Sequence, residues 1–383
     1  MNSAGIEVNG MKPWDIQVRD ERFYNKLMVN GSLGLGEAYM DGWWECESID
    51  KFFYHLLLQG LEKKFSVTPG AVLDYLFAAL KNLQDKRKIY SSIGHHYDLG
   101  SDLYKAMLGK RLVYTCAYWQ NARNLDEAQE AKLEMVCRKL GLQQGQRVLD
   151  IGCGWGSFAK YAAERYGVTV VGITISKEQA ELAREFCHGL PVEIRLQDYR
   201  EVGEKFDHVV SLGMFEHVGY KNYNTYMKVV SRSLSDKGIF LLQCIGGNIS
   251  TQTTDPWIGR YIFPNSMLPS IKQIGRAIER KFVMEDWQNF GIHYDKTLMA
   301  WFQNFNSQWD ILKENFSSRF YRMWKYYLLS CAGTFRSRKI QLWQIAFSKK
   351  GLSDGFHTAP RYRMDTGIAM AGQENEPAKM SAL

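Results

Sequence analysis

The 383-residue chain has no apolar run approaching the roughly 18 residues that a bilayer-spanning helix needs. Its opening stretch, MNSAGIEVNGMKPWDIQ, has neither a basic segment nor an apolar one and does not read as a signal peptide. No C-x-x-C pair occurs among the 7 cysteines, Cys46, Cys116, Cys137, Cys153, Cys187, Cys244 and Cys331, and their number is odd. A disulfide framework and a zinc site are therefore not expected, and a reducing cytoplasm is. There is no internal repeat, no strong basic clustering and no base-flipping motif, so nucleic acid is not an expected partner. The net charge of +7 is modest and suits an anionic partner, of which a membrane surface is one. The stretch KNLQDKRKIY (81–90) carries four of the basic residues. It serves equally well as a solvated helix face or a lipid-facing patch.

Aromatic side chains are abundant instead, at 14% of the chain with 11 Trp, 21 Tyr and 20 Phe. They build either an aromatic core or an apolar pocket whose ring faces steady a cation. The apolar fraction of 45% leaves room for a sizeable core.

Residues 1–95 contain short apolar segments, FFYHLLL and AVLDYLFAAL, with glycine-rich punctuation in NGSLGLGEAYMDGWWE. They read as a small, mainly helical N-terminal domain. From about 145 the pattern alternates. RVLDIG, VTVVGIT, VEIRL, FDHVVSLG, IFLLQCIG and IQLWQIAFSK (340–349) read as strands. SFAKYAAERYG, SKEQAELAREFC and YMKVVSRSLSDKG read as helices, the second opened by a Ser176/Gln179 capping box and the third stopped by its glycine. Such alternation predicts a Rossmann-like α/β fold, a parallel sheet covered on both faces, over residues 96–350. The aromatic-rich segment at about 247–335 is expected to form a helical cap over the ligand edge. The polar, aperiodic tail 351–383 is expected to be disordered.

VLDIGCGWG (148–156) runs a strand into a glycine turn and then a helix. Gly152 and Gly154 let the backbone approach a ligand closely. Asp150 can accept from an ammonium or a ribose hydroxyl. A dinucleotide fingerprint would place its third glycine one residue later than Gly156. A GxGxG turn after an acid, on the first strand of an alternating pattern, points to S-adenosylmethionine (SAM), which has no phosphates and whose ammonium needs an acidic partner. Many SAM enzymes carry an acid at the end of the second strand. This chain has Thr174, and Gln179 on the next helix could supply the acceptor. In QDYR, Asp198 can accept from the adenine amino group and Tyr199 can pack on the ring. Tyr114, Thr115, Cys153, Trp155 and Arg200 complete the expected cofactor contacts.

With these residues assembled, the chain resembles the cyclopropane-fatty-acyl-phospholipid synthases. The likeness rests on GSLGLGEAYMDGWWE, HYDLGSDLY, TCAYW, VLDIGCGWG, GMFEHVG, YIFPN, VMEDW and CAGTFR, and extends to about residue 350. The mycolic acid cyclopropane synthases look like shorter relatives, similar from about residue 90. The resemblance implies a SAM-dependent enzyme acting on the cis double bond of an unsaturated acyl chain in a phospholipid. It implies methyl transfer to the alkene, a carbocation, and ring closure on loss of a proton to a bound bicarbonate ion. The cradle of that ion maps onto Cys116, Glu216, Ile245 and Tyr294. A well-known family member has a His at the position of Gln243. An amide there still donates a hydrogen bond but carries no charge and no transferable proton. Older readings of the family make the cysteine at Cys331 an active-site residue; here it reads as pocket-lining. Membership also implies a homodimer that docks from the cytoplasm on the inner face of an anionic membrane.

The chemistry demands a dry, apolar pocket. Trp257, Phe263, Trp301 and Phe305 are its candidate walls as a set, although each alone reads as core. Tyr294, the Gln243 amide and the Ile245 N–H are candidate donors to an anionic base. Glu216 either shares a proton with that base or takes the proton itself. His217 reads as a buried neighbour of Glu216 more than as a participant. A methyl-branching SAM enzyme and a non-catalytic SAM- and lipid-binding protein are the competing readings.

Overall fold

The computed structural model describes residues 2–61 and 101–356. The basic stretch 81–90, the segment AVLDYLFAAL, the expected boundary near residue 95 and the tail from 357 lie outside the described residues.

The β-branched runs form a seven-stranded sheet. Its strands are β1 (Arg147–Ile151), β2 (Thr169–Thr174), β3 (Val192–Leu196), β4 (His208–Leu212), β5 (Ile239–Gly247), β6 (Val283–Asn289) and β7 (Ile340–Ser348). Their spatial order is β3-β2-β1-β4-β5-β7-β6. The first five are parallel, as expected. The strand at 340–348 corrects the expectation of an all-parallel sheet, because it runs antiparallel to both β5 and β6. β6 and β5 both end at the edge the cap covers. The chain returns from the cap at that same edge, so β7 has to run the other way.

Alternate residues of the central strands feed two cores. Leu149, Val171, Val209 and Leu242 pack on the side of α7 (Tyr223–Ser233) and α9 (Ile271–Ile278). Val148, Val170, Val210 and Leu241 pack on the side of α4 (Leu125–Leu140) and α5 (Ser157–Tyr166). Burial on both faces is why these strands read as continuous apolar runs.

Three local expectations are corrected. The segment 247–335 is not all cap, since α9 packs on α7 and β6 forms a sheet edge. VMEDWQN is mostly exposed or half-buried, with the charged character of an edge strand, and so shows no apolar run. α7 ends at Ser233, where Leu234 turns extended, ahead of Gly238. At α6 (Lys177–Phe186) only half the capping box forms. Ser176 Oγ accepts from Gln179 N at 3.3 Å, but the Gln179 side chain turns to Thr174.

A third, aromatic core lies among α1 (Arg22–Met40), α2 (Ile49–Leu58), α3 (Ser101–Leu108), α8 (Pro256–Tyr261), α10 (Gly291–Ser307) and α11 (Ser318–Arg336). α11 is its centre and touches α10, α2 and α1. Trp44, Trp257, Trp301 and Trp324 are fully buried there. The approach of α11 to α2 depends on Gly333, where a Cβ would stand 2.3 Å from the Asp50 carbonyl oxygen. That neighbour is backbone and cannot swing aside. Gly333→Ala is expected to cost about 1–3 kcal/mol, read as a lower urea midpoint at unchanged m-value. No helix among the described residues is long and apolar enough to cross a membrane.

Candidate active site

The turn after β1 places Gly152 at φ 82°, Gly154 at φ 54° and Gly156 at φ 82°, all left-handed. At Gly152 a Cβ would also lie 2.6 Å from the Met214 Cβ. The turn forms one wall of a cavity over the carboxyl ends of β1, β2 and β4. Of the expected cofactor contacts, Tyr114, Thr115, Asp150, Gly152, Cys153, Gly154, Trp155, Thr174, Gln179, Asp198 and Tyr199 line it. Gly156 sits behind the turn, where a Cβ would meet Cys187 Sγ at 2.8 Å. Arg200 is also not a wall residue. It binds the Asp198 carboxylate from behind, through its backbone N–H at 2.8 Å and Nη1 at 2.9 Å. Thr174 donates its hydroxyl to Gln179 Oε1 at 2.9 Å, so these two form one polar unit at the end of β2.

Lys132 is a wall residue that the sequence did not single out. It lies in AKLEMVCRKL, and its burial puts it on the same inward side of α4 as Leu133, Val136 and Cys137, where a lysine is not expected. Asp150 and Lys132 are both almost fully buried. Burial pushes the Asp150 carboxyl up to about 7, with Lys132 opposing the shift. Burial likewise pulls the Lys132 ammonium down to about 8.

Glu216 is carried by a single 3₁₀ turn, Phe215–His217, directly after β4. Its Oε1 accepts from the Ile245 backbone N–H at 2.7 Å. Its Oε2 is buried with no hydrogen-bond partner. Burial pushes this carboxyl up to about 7, against the Ile245 hydrogen bond. The Ile245 N–H, expected to face an anion, is thus already committed to Glu216. His217 lines the cofactor cavity. Burial pulls its imidazole down to about 4, so it is neutral at pH 7.

Gln243 accepts from Gln344 Nε2 at 2.9 Å through its Oε1, and its own Nε2 is buried and unpartnered. Cys116 donates to the Ala117 carbonyl at 3.2 Å and lies 4.0 Å from Thr297 Oγ1. Burial pushes its thiol far up. Thr297 follows Tyr294 by one turn of α10. Tyr294 stacks on Phe335 with centroids 4.6 Å apart and meets Trp301 edge-on at 5.9 Å. Cys331 is half-buried on α11, and burial pushes its thiol up to about 12. That leaves a neutral thiol, a poor nucleophile.

Glu216, Gln243, Ile245, Cys116, Tyr294 and Cys331 lie outside the walls of the cofactor cavity. A chain of rings links the two places. His217 lies 5.8 Å from Phe263, Phe263 6.5 Å from Tyr114, Tyr114 5.3 Å from Trp301, and Trp301 contacts Tyr294. The expected aromatic set therefore divides. Phe263 and Trp301 join this chain, whereas Trp257 packs on Tyr326 and Phe305 stacks on Tyr321.

A sheet of this order, with a glycine turn after β1 and a cavity at the carboxyl ends of its central strands, defines a SAM-dependent methyltransferase fold. The cyclopropane synthase MmaA2 from Mycobacterium tuberculosis superposes with a TM-score of 0.64 at 30% identity, covering 68% of this chain and 98% of that one. Mycolic acid cyclopropane synthase CmaA1, complexed with SAH and CTAB, does so with a TM-score of 0.64 at 31% identity and the same coverage. The family profile described as mycolic acid cyclopropane synthetase matches residues 84–345, and the chain belongs to that family. It is 52% identical over 359 residues to the cyclopropane-fatty-acyl-phospholipid synthase of Escherichia coli K12, covering 94% of each chain.

Proposed function

We propose that the protein transfers the methylene of a SAM methyl group onto the cis double bond of an unsaturated acyl chain in a membrane phospholipid, forming a cyclopropane ring. The observation that carries this reading is the 52% identity to the Escherichia coli synthase across 94% of both chains. The alkene π pair attacks the methyl carbon, the C–S bond breaks and S-adenosylhomocysteine leaves. A proton then leaves the new methyl, and the C–H pair closes the ring on the carbocation.

Bicarbonate, when bound, would supply the acceptor for that proton. Two buried polar atoms without partners, Glu216 Oε2 and Gln243 Nε2, suit an anion of this kind. Gln243 offers an N–H. Glu216, with its carboxyl raised to about 7, offers an O–H when protonated. Tyr294 and Cys116 complete the proposed cradle, and the aromatic rings keep water from the cation. His217, neutral and on the cofactor side, shields rather than transfers a proton. The proposed assembly is a homodimer that docks peripherally on an anionic membrane from the cytoplasmic side and draws one acyl chain inward.

The test incubates purified protein with SAM and unsaturated phospholipid vesicles, with and without bicarbonate in degassed buffer. The expected product is one CH2 heavier, has lost its double bond and contains the ring. A methyl-branched product or none would sink the reading. Ring formation indifferent to bicarbonate would sink only the base assignment.

A further inference from the structure

We propose that Thr297 and His293 are positioning residues that set Cys116 in register with Tyr294, so that the groups meant to hold the proton acceptor meet at one fixed spacing. This rests on the ring-forming reading above. Neither residue lines the cofactor cavity. Both stand on α10, His293 immediately before Tyr294 and Thr297 one turn beyond His293. Thr297 is 0% exposed. Its Oγ1 accepts from the Ala117 backbone N–H at 3.1 Å and from the Trp119 indole N–H at 2.9 Å, and donates to the His293 carbonyl at 2.7 Å. A hydroxyl has one hydrogen and two lone pairs, so all of its capacity is used. His293 Nδ1 accepts from the Trp119 backbone N–H at 3.0 Å. Burial pulls this imidazole down to about 4, so at pH 7 its Nδ1 keeps the lone pair that the bond needs.

The segment 113–119 is thus gripped from two sides. α4 holds its first half, where Gln129 donates to the carbonyls of Val113 at 3.3 Å and Thr115 at 3.0 Å, and Lys132 donates to Thr115 Oγ1 at 3.1 Å. That half supplies Tyr114 and Thr115 to the cofactor cavity. In the second half the bonds alternate. The N–H groups of Ala117 and Trp119 go to α10, and the Tyr118 N–H goes back to the Ala128 carbonyl of α4 at 2.9 Å. Cys116 lies where the two halves meet, its Sγ 4.0 Å from Thr297 Oγ1. A threonine inside a helix commonly donates to the carbonyl one turn back and needs nothing more. Thr297 takes two further donors from a segment 180 and 178 positions away. The helix that carries Tyr294 therefore also fixes the segment that carries Cys116.

A purely structural role for Thr297 is separated from this one by measuring two properties of the same variants. Parent, T297V, T297S and H293F are compared for ring formation from SAM and unsaturated phospholipid vesicles, and for S-adenosylhomocysteine affinity by calorimetry. T297V keeps the shape of threonine but offers its two donors no acceptor. It is expected to lower kcat by about 10–100-fold, the effect of moving a reacting group by about 1 Å. Its S-adenosylhomocysteine affinity is expected to stay within about threefold of the parent, because the α4 bonds remain. The bicarbonate concentration that gives half the maximal rate is expected to rise. T297S returns the hydroxyl and should recover most of the lost kcat. H293F removes a different acceptor from the same segment and should shift the same quantities in the same directions, so it carries the comparison if T297V does not fold. A T297V rate within about threefold of the parent would overturn the proposal. Loss of S-adenosylhomocysteine affinity as strong as the loss of kcat would overturn it too, as would a T297S no faster than T297V. A parent that forms no ring would instead overturn the ring-forming reading, and this proposal with it.

Discussion

Glu216→Gln is expected to lower ring formation by about 10²–10⁴-fold, while S-adenosylhomocysteine affinity stays within about threefold of the parent. The asymmetry follows from where Glu216 sits. It leaves β4 beside the cofactor cavity without lining it, and its Oε1 is tied to Ile245 N at 2.7 Å. A glutamine keeps that acceptor and nearly the same shape. It loses the oxygen that has no partner and with it any means of holding or passing a proton. The variant also carries its own folding control. The Glu216 carboxyl is raised from 4.5 to about 7 by burial. Its contribution to stability is therefore complete below its ordinary value and is lost as pH rises through about 7. The amide escapes that loss. At pH 8 the variant should melt no lower than the parent, so a fall in rate there is a fall in chemistry. A variant that lost S-adenosylhomocysteine as strongly as activity would place Glu216 in the cofactor site and end its proposed catalytic role. A rate within threefold of the parent would end that role too.

The parts of this site that were legible in the sequence share one property, a conflict visible within a few residues. Glu216 stands out because SLGMFEHVG is otherwise apolar, and the turn after β1 stands out because three glycines alternate with larger residues. β1, β2, β4 and β5 were legible because they are buried on both faces. What stayed hidden depends on partners distant in the chain. Lys132 and Lys139 both turn inward from α4, yet in sequence they are ordinary lysines of a charged helix. Lys139 is accounted for by Gln288 at 2.8 Å, 149 positions away. Gln243 has its carbonyl oxygen held by Gln344, 101 positions on. Arg200 reads as a ligand contact until the structure shows its guanidinium spent on Asp198. β6 went unread because an edge strand wets one side and hides its period.

Arg336→Met is expected to destabilise the fold by about 3 kcal/mol, because breaking a buried ion pair strands the charges left behind. Arg336 ends α11. Its Nε and Nη2 grip Asp295 of α10 at 2.8 and 2.9 Å, and its Nη1 reaches Asp50 of α2 at 2.6 Å. Asp50 and Asp295 are both buried, so the substitution leaves two carboxylates facing an apolar side chain. Urea denaturation of R336M, D50N/D295N and the triple variant separates the pair energy from lost packing. The triple variant should recover at least half of the loss. A loss below about 0.5 kcal/mol in R336M would mean that the junction is no more than an exposed salt bridge. The expected effect reaches the chemistry as well. Tyr294 immediately precedes Asp295, and Phe335, on which Tyr294 stacks at 4.6 Å, immediately precedes Arg336. The ion pair and the ring pair therefore form adjacent clamps that set the rotation of α10 about its axis. Loosening the first should lower kcat at temperatures where R336M remains folded and should leave S-adenosylhomocysteine affinity unchanged, since neither clamp touches the cofactor cavity.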